Sequence, residues 1–119
     1  MTPNDIPYIR HILDAIARIE EYLQGIAEDD FHQKYLVQDG VIRQIEIIGE
    51  ATKNISKDLC DTYPEIPWRD MAGMRDKLIH HYFGVNIGEV WLTATRDIPI
   101  LKSQIEKVLS DFSADDTRD

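Results

Sequence analysis

Arg75, His80 and Tyr82 fall within eight residues and read Arg-x4-His-x-Tyr. Arginine is a permanent cation whose fork can grip a phosphate at two points. Histidine can take or give a proton near neutral pH. Tyrosine offers a hydroxyl that can donate, accept or be modified. A fixed cation, a proton-transfer group and a hydroxyl so close together suit chemistry on a phosphodiester. Spacing decides how they could meet. On a helix, residues three, four or seven apart share a face. Arg75 and Tyr82 are seven apart and share one, whereas Arg75 and His80, five apart, do not. Asp76 stands four before His80, so a helix reaching residue 80 would let Asp76 orient His80 and favour its charged form. Arg75 and His80 then meet if the helix loosens at its end, or if a second subunit of a symmetric dimer supplies one of them.

The same residues also fit plainer roles. Arg75 and Asp76 could be surface charges, His80 and His81 could complement a helix C-terminus, and Tyr82 could be a core ring with its hydroxyl at the rim. Other chemistries find no support. His80 and His81 are adjacent and point apart on a helix, and no His-x3-His or cysteine pair offers a metal site. No glycine-rich phosphate loop, Gly-x-Ser-x-Gly elbow or Cys–His nucleophile pattern is present. Neither a metal nor a cofactor is therefore expected.

Six stretches must position this chemistry. Residues 6–27 carry Ile9, Ile12, Ile16, Ile19, Leu23 and Ile26 at alternating steps of three and four, an amphipathic helix that Asn4 or Asp5 could cap and Gly25 could end. Asp30 could cap a short segment, Phe31 to Leu36. A second long helix is predicted over 38–56, with Val41, Ile45, Ile48 and Ile55 on one side, Ile42 and Ala51 widening it, and an interior Gly49 that suits a close helix crossing. Ser56 could cap a turn from Lys57 to Cys60. Pro64 and Pro67 break the chain, and Pro67 opens a helix over 67–82 with Met71, Met74, Leu78 and Ile79 facing the core and Gly84 as its stop. Asn86 could cap a last helix over 87–110. Its stripe is Ile87, Trp91, Ala94, Ile98, Leu101, Ile105, Val108 and Phe112, and Pro99 inside it predicts a kink or break. No strand pattern, repeat or linker appears. The fold class is all-α: an antiparallel bundle of four principal helices with short extra helical turns. Residues 1–119 read as a single domain, with 113–119 a frayed tail.

Composition agrees with that reading. At 119 residues, 43% hydrophobic and 29% charged, the chain suits one globular domain. No apolar run approaches the roughly 20 residues of a membrane span, and Met1 to Arg10 lacks the plan of a signal peptide. Cys60 is the single cysteine, which suits a reducing cytoplasm and reads as a small buried or half-buried residue. The formal net charge of −9 argues against a broadly basic nucleic-acid binder but leaves room for a local basic patch.

The sequence also resembles the HepT-like branch of the HEPN superfamily. The resemblance rests on Arg75-x4-His80-x-Tyr82, on Ile48-Gly49-Glu50-Ala51, on the run from Pro64 to Arg75, and on Tyr82-Phe83-Gly84-Val85 and Asp97-Ile98-Pro99. It covers roughly residues 5–110 and implies several further things. The fold would be HEPN-like. The protein would be a metal-independent ribonuclease toxin of a toxin–antitoxin pair, acting on RNA, with transfer RNA suggested, at a homodimer cleft. Arg75, His80 and Tyr82 would take the motif's catalytic roles, with Asp76 in support. The partner would be a minimal nucleotidyltransferase antitoxin that silences the enzyme by adding AMP to Tyr82. A different class of function remains open: a non-catalytic helical module that binds a nucleotide or docks onto a nucleotidyltransferase.

Overall fold

The structure is a computed structural model and describes residues 3–78 and 85–116. No strand occurs among the described residues, and the all-α bundle is as expected. A 3₁₀ turn (Pro3–Asp5) leads into α1 (Ile6–Leu23), followed by a short α2 (Glu28–Phe31) and the long α3 (Tyr35–Lys53). Then come α4 (Lys57–Thr62), α5 (Trp68–Ala72) and α6 (Met74–Leu78). The last rod consists of α7 (Ile87–Leu92), a π-helical segment (Thr93–Asp97) and α8 (Ile98–Asp116). Helix α1 packs on α3 and α8, while α3 packs on α5, α6 and α7, so α3 lies at the centre. The molecule measures 52 × 30 × 20 Å. A thirty-residue rod, at about 1.5 Å per residue, spans most of the long axis.

The predicted stripes form the core. Ile9, Ile12, Ile16 and Ile19 of α1 meet Val41, Ile45 and Ile48 of α3, and all are essentially inaccessible to solvent. Leu23 and Ile26 are half-buried, because α1 ends at Leu23 and Gly25 turns the chain with φ +73°. A side chain there would be strained, since only glycine enters that region freely. Two capping expectations are corrected. Asp30 lies inside α2, and Ala27 precedes that helix. Asp5 precedes α1 but makes no cap bond to it. Its buried carboxylate instead accepts from the Ser56 N–H (2.8 Å) and the Ser56 hydroxyl (2.6 Å). Ser56 in turn caps α4 by accepting from the Leu59 N–H. One carboxylate thus ties the start of α1 to the start of α4. Asn86 caps α7 as expected, accepting from the Glu89 N–H at 3.1 Å.

Pro99 does not break the rod. It has no N–H, and in an α-helix its ring would crowd the carbonyl of Thr95. The turn before it widens instead, and the Ile98 N–H bonds back five residues to the Thr93 carbonyl. Such a π turn acts as one inserted residue and shifts the phase of the helix before it. The core stripe shifts accordingly. Ile98, Leu101, Ile105 and Val108 are buried as predicted, and so is Ala94. Farther upstream Val90 and Thr93 are buried, while Ile87 and Trp91 pack only at the edge.

Candidate active site

The expected helix over 67–82 is corrected in its described part. It is two short helices, α5 and α6, joined at Gly73 with φ −93° and ψ 3°. The approach to them is held by hydrogen bonds rather than by regular structure. The Trp68 indole N–H donates to the Tyr63 carbonyl (2.9 Å), and the Trp68 backbone N–H to that of Ile66 (2.8 Å). The Tyr63 hydroxyl donates to Asp111 (2.7 Å), and the Gln104 amide donates to the Glu65 carbonyl (3.3 Å), both on α8. The two prolines thus sit in a segment laced to the rod. This fixes where α5 begins.

Packing fixes α6. Met71, Met74 and Leu78 are buried, as the spacing predicted. Gly49 of α3 faces the end of α5. A β-carbon there would lie 3.4 Å from the carbonyl oxygens of both Met71 and Ala72. The predicted close crossing is therefore real, and its partner is the segment leading into Arg75. Arg75 and Asp76 lie in the first turn of α6, and Asp76 is exposed. The side chain of Arg75, together with Ile79, His80, His81, Tyr82 and Gly84, lies outside the described residues. The structure thus gives the backbone approach to the motif.

An open groove of about 640 Å³ runs beside this approach. Arg69, Asp70 and Met74 line one side, and Asp97 and Ile100 line the other. Buried Met71 and Leu101 form its floor, and Gln104 closes one end. Among the described residues that line it, Arg69 is the only cation, and neither it nor Asp70 or Asp97 makes an ion pair with another described residue. The sequence reading included Arg69 and Asp97 only within the family-like runs, gave neither a site role, and did not name Ile100. The available signal was that the runs Pro64–Arg75 and Asp97–Pro99 both had to meet somewhere, and they form the two walls.

Cys60 is free and half-buried, and its thiol pKa is pushed up by burial first and then by the charges of Asp5 and Asp61. Among the described residues no group of three or more His, Cys, Asp or Glu side chains is placed to hold a metal ion. No helix among them is long and apolar enough to cross a membrane.

Together these features define an all-α bundle in which α3 carries the short helices α5 and α6. The HepT-like family model, described as ribonuclease HepT-like, matches residues 12–108. The chain belongs to this HepT-like family. It is 52% identical over 101 residues to "Probable ribonuclease HepT" of Thermococcus cleftensis, covering 85% of this chain and 92% of the relative. It is 42% identical over 103 residues to a "Putative RNase" of Caldanaerobacter subterraneus, covering 87% and 92%. It is also 48% identical over 105 residues to a "Gamma-glutamylcyclotransferase and putative RNase" of Methanocaldococcus jannaschii, covering 88% of this chain but only 47% of that relative. The similarity there spans about half of a longer protein. No solved structure gives a significant match.

Proposed function

We propose that this protein is a metal-independent ribonuclease that cleaves RNA through Arg75, His80 and Tyr82. The observation that carries the reading is the family match over 12–108, which takes in the whole Arg-x4-His-x-Tyr stretch. The chemistry needs only these side chains. His80 takes the proton from an RNA 2′-hydroxyl, and the freed oxygen attacks the adjacent phosphorus. The bond to the 5′-oxygen breaks, that oxygen takes up a proton, and a 2′,3′-cyclic phosphate remains. Arg75 stabilises the charge that builds on the phosphate, and Tyr82 positions it by hydrogen bonding. Asp76 supports His80 if the helix continues to it. Because Arg75 and His80 are five apart, a homodimer that pairs two copies of the motif in one cleft completes the site.

In this reading the protein is the cytoplasmic toxin of a toxin–antitoxin pair. A minimal nucleotidyltransferase antitoxin transfers AMP from ATP to the Tyr82 hydroxyl and releases pyrophosphate. The added group is bulky and anionic, and it repels RNA phosphates from the cleft. Transfer RNA is the proposed substrate. The net charge of −9 favours a second reading, in which the module binds a nucleotide or docks onto the nucleotidyltransferase without cutting RNA. Cleavage of total RNA in excess chelator separates the two. The parent should cut and His80→Ala should not, with both dimeric in solution. A His80→Ala variant that cuts at the parental rate removes His80 from the mechanism. Absence of cutting by a parent whose Tyr82 is unmodified by mass spectrometry supports the binding module.

A further inference from the structure

We infer that the groove between α5 and the π segment is a base-binding subsite of the RNA substrate, selective for guanine through Asp97. The inference rests on the ribonuclease reading and adds a sequence preference to it. Three observations converge. The groove adjoins Met74, the residue before Arg75, so it lies at the backbone approach to the motif. Its volume of about 640 Å³ lies within the roughly 300–1,000 Å³ of small-molecule sites, and its apolar floor of Met71 and Leu101 suits the flat face of a base. Its wall is the π segment, an irregularity that places Asp97 at the groove and often marks functional sites.

The polar groups choose the base. Asp97 is exposed and makes no ion pair with another described residue. Gln104, which also lines the groove, donates its amide N–H to the Glu65 carbonyl, so its amide oxygen remains an acceptor. The site therefore offers acceptors and asks for donors. Guanine alone presents two adjacent donors on its pairing edge, the N1–H and the N2 amino group, and these match the two oxygens of a carboxylate. Adenine and cytosine set a ring nitrogen acceptor beside their amino group, and uracil flanks its N–H with two carbonyls, so each meets Asp97 with repulsion. Arg69, six residues before Arg75, takes a flanking phosphate and carries no sequence information. A concave slot with a paired-acceptor wall and one cation fits a nucleotide better than the flat apolar face of a second copy.

The test measures binding rather than cleavage, so it does not depend on the nuclease step. Four fluorescently labelled 2′-fluoro hexanucleotides are titrated by anisotropy: all uridine, or uridine with one guanosine, adenosine or cytidine. These cannot undergo 2′-hydroxyl attack. The parent should bind the guanosine hexamer about tenfold tighter than the others, within the range of one bidentate base contact. Asp97→Asn, which swaps an acceptor for a donor, should bring that ratio below about threefold. Arg69→Ala should weaken all four about equally. Equal binding of the four hexamers by the parent, no binding, or a guanosine preference that survives Asp97→Asn overturns the inference. So does Ile100→Asp converting a dimer to a monomer in sedimentation, because the groove would then be an interface between copies. Failure of the ribonuclease reading shows separately, as uncut total RNA from a parent with unmodified Tyr82.

Discussion

Removing the Asp5 carboxylate should destabilise the whole domain, although Asp5 lies in the first turn of the chain. Asp5 is 2% exposed and accepts two short bonds from Ser56. Hydrogen bonds to a charged acceptor contribute about 1.5–3 kcal/mol each, and two to one carboxylate add less than their sum. Ser56 is half-buried, so water replaces part of the loss in Asp5→Ala. The expected cost is about 2.5 kcal/mol. Unfolding entropy near 2.1 cal/mol/K per residue gives roughly 0.25 kcal/mol/K for a chain of this length, so the midpoint should fall by about 10 °C. Circular dichroism melts and urea titrations measure both quantities. A cycle with Ser56→Ala isolates the hydroxyl bond, because that variant keeps its backbone N–H on Asp5 while losing the α4 cap. The coupling should be about 1–2 kcal/mol. A loss below about 0.5 kcal/mol for Asp5→Ala, or strictly additive single variants, would refute the claim that this carboxylate joins α1 to α4.

Other consequences can be checked in the same way. Trp68→Phe removes the indole donor from the Tyr63 carbonyl and should cost about 1–2 kcal/mol by urea denaturation. Gly49→Val puts branched bulk against the Met71 and Ala72 carbonyls and should cost at least about 2 kcal/mol by the same measurement, displacing α5 where a helix surface could have accepted valine. The raised Cys60 pKa predicts slow alkylation by iodoacetamide near pH 8 relative to an unfolded control. Asp5→Asn should speed that reaction by removing one of the charges responsible. For the same thiol the folded chain holds its proton to higher pH than the unfolded chain does. Stability should therefore decline slightly as pH rises above about 8.5, visible as a lower midpoint that is absent in Cys60→Ala.

Much of the architecture is legible in the sequence because it depends on one signal, the apolar step of three and four. That signal places α1, α3 and α8 and their buried faces without further help. It fails where the backbone departs from 3.6 residues per turn. Ile87 and Trp91 lie on the predicted stripe, yet Val90 takes the core position, because the π turn offsets everything before it by one residue. Pro99 announces a disturbance but not its form. Asp5 shows a second kind of failure. A carboxylate before a helix reads as its cap, and nothing local reveals that a serine fifty-one residues away binds it instead. The break at Gly73 is hidden for a similar reason, since a glycine inside a helical pattern is compatible with either continuation or a turn. Of the proposed site, motif spacing marks Arg75, His80 and Tyr82. The groove beside the approach to Arg75 is not visible, because its walls lie more than twenty residues apart in the chain.

The π segment also has a meaning for chain length. It is a place where the chain carries one residue more than a regular helix needs. Deleting one residue between Thr93 and Asp97 would let the rod continue as a regular α-helix, with Ile98–Asp116 still seated on α1 and Val90 still facing the core. Trp91 would keep its place at the edge of the core and its aromatic contact with Phe31, now 5.3 Å between ring centres. The stripe that the sequence suggests and the stripe that the fold uses are thus one deletion apart.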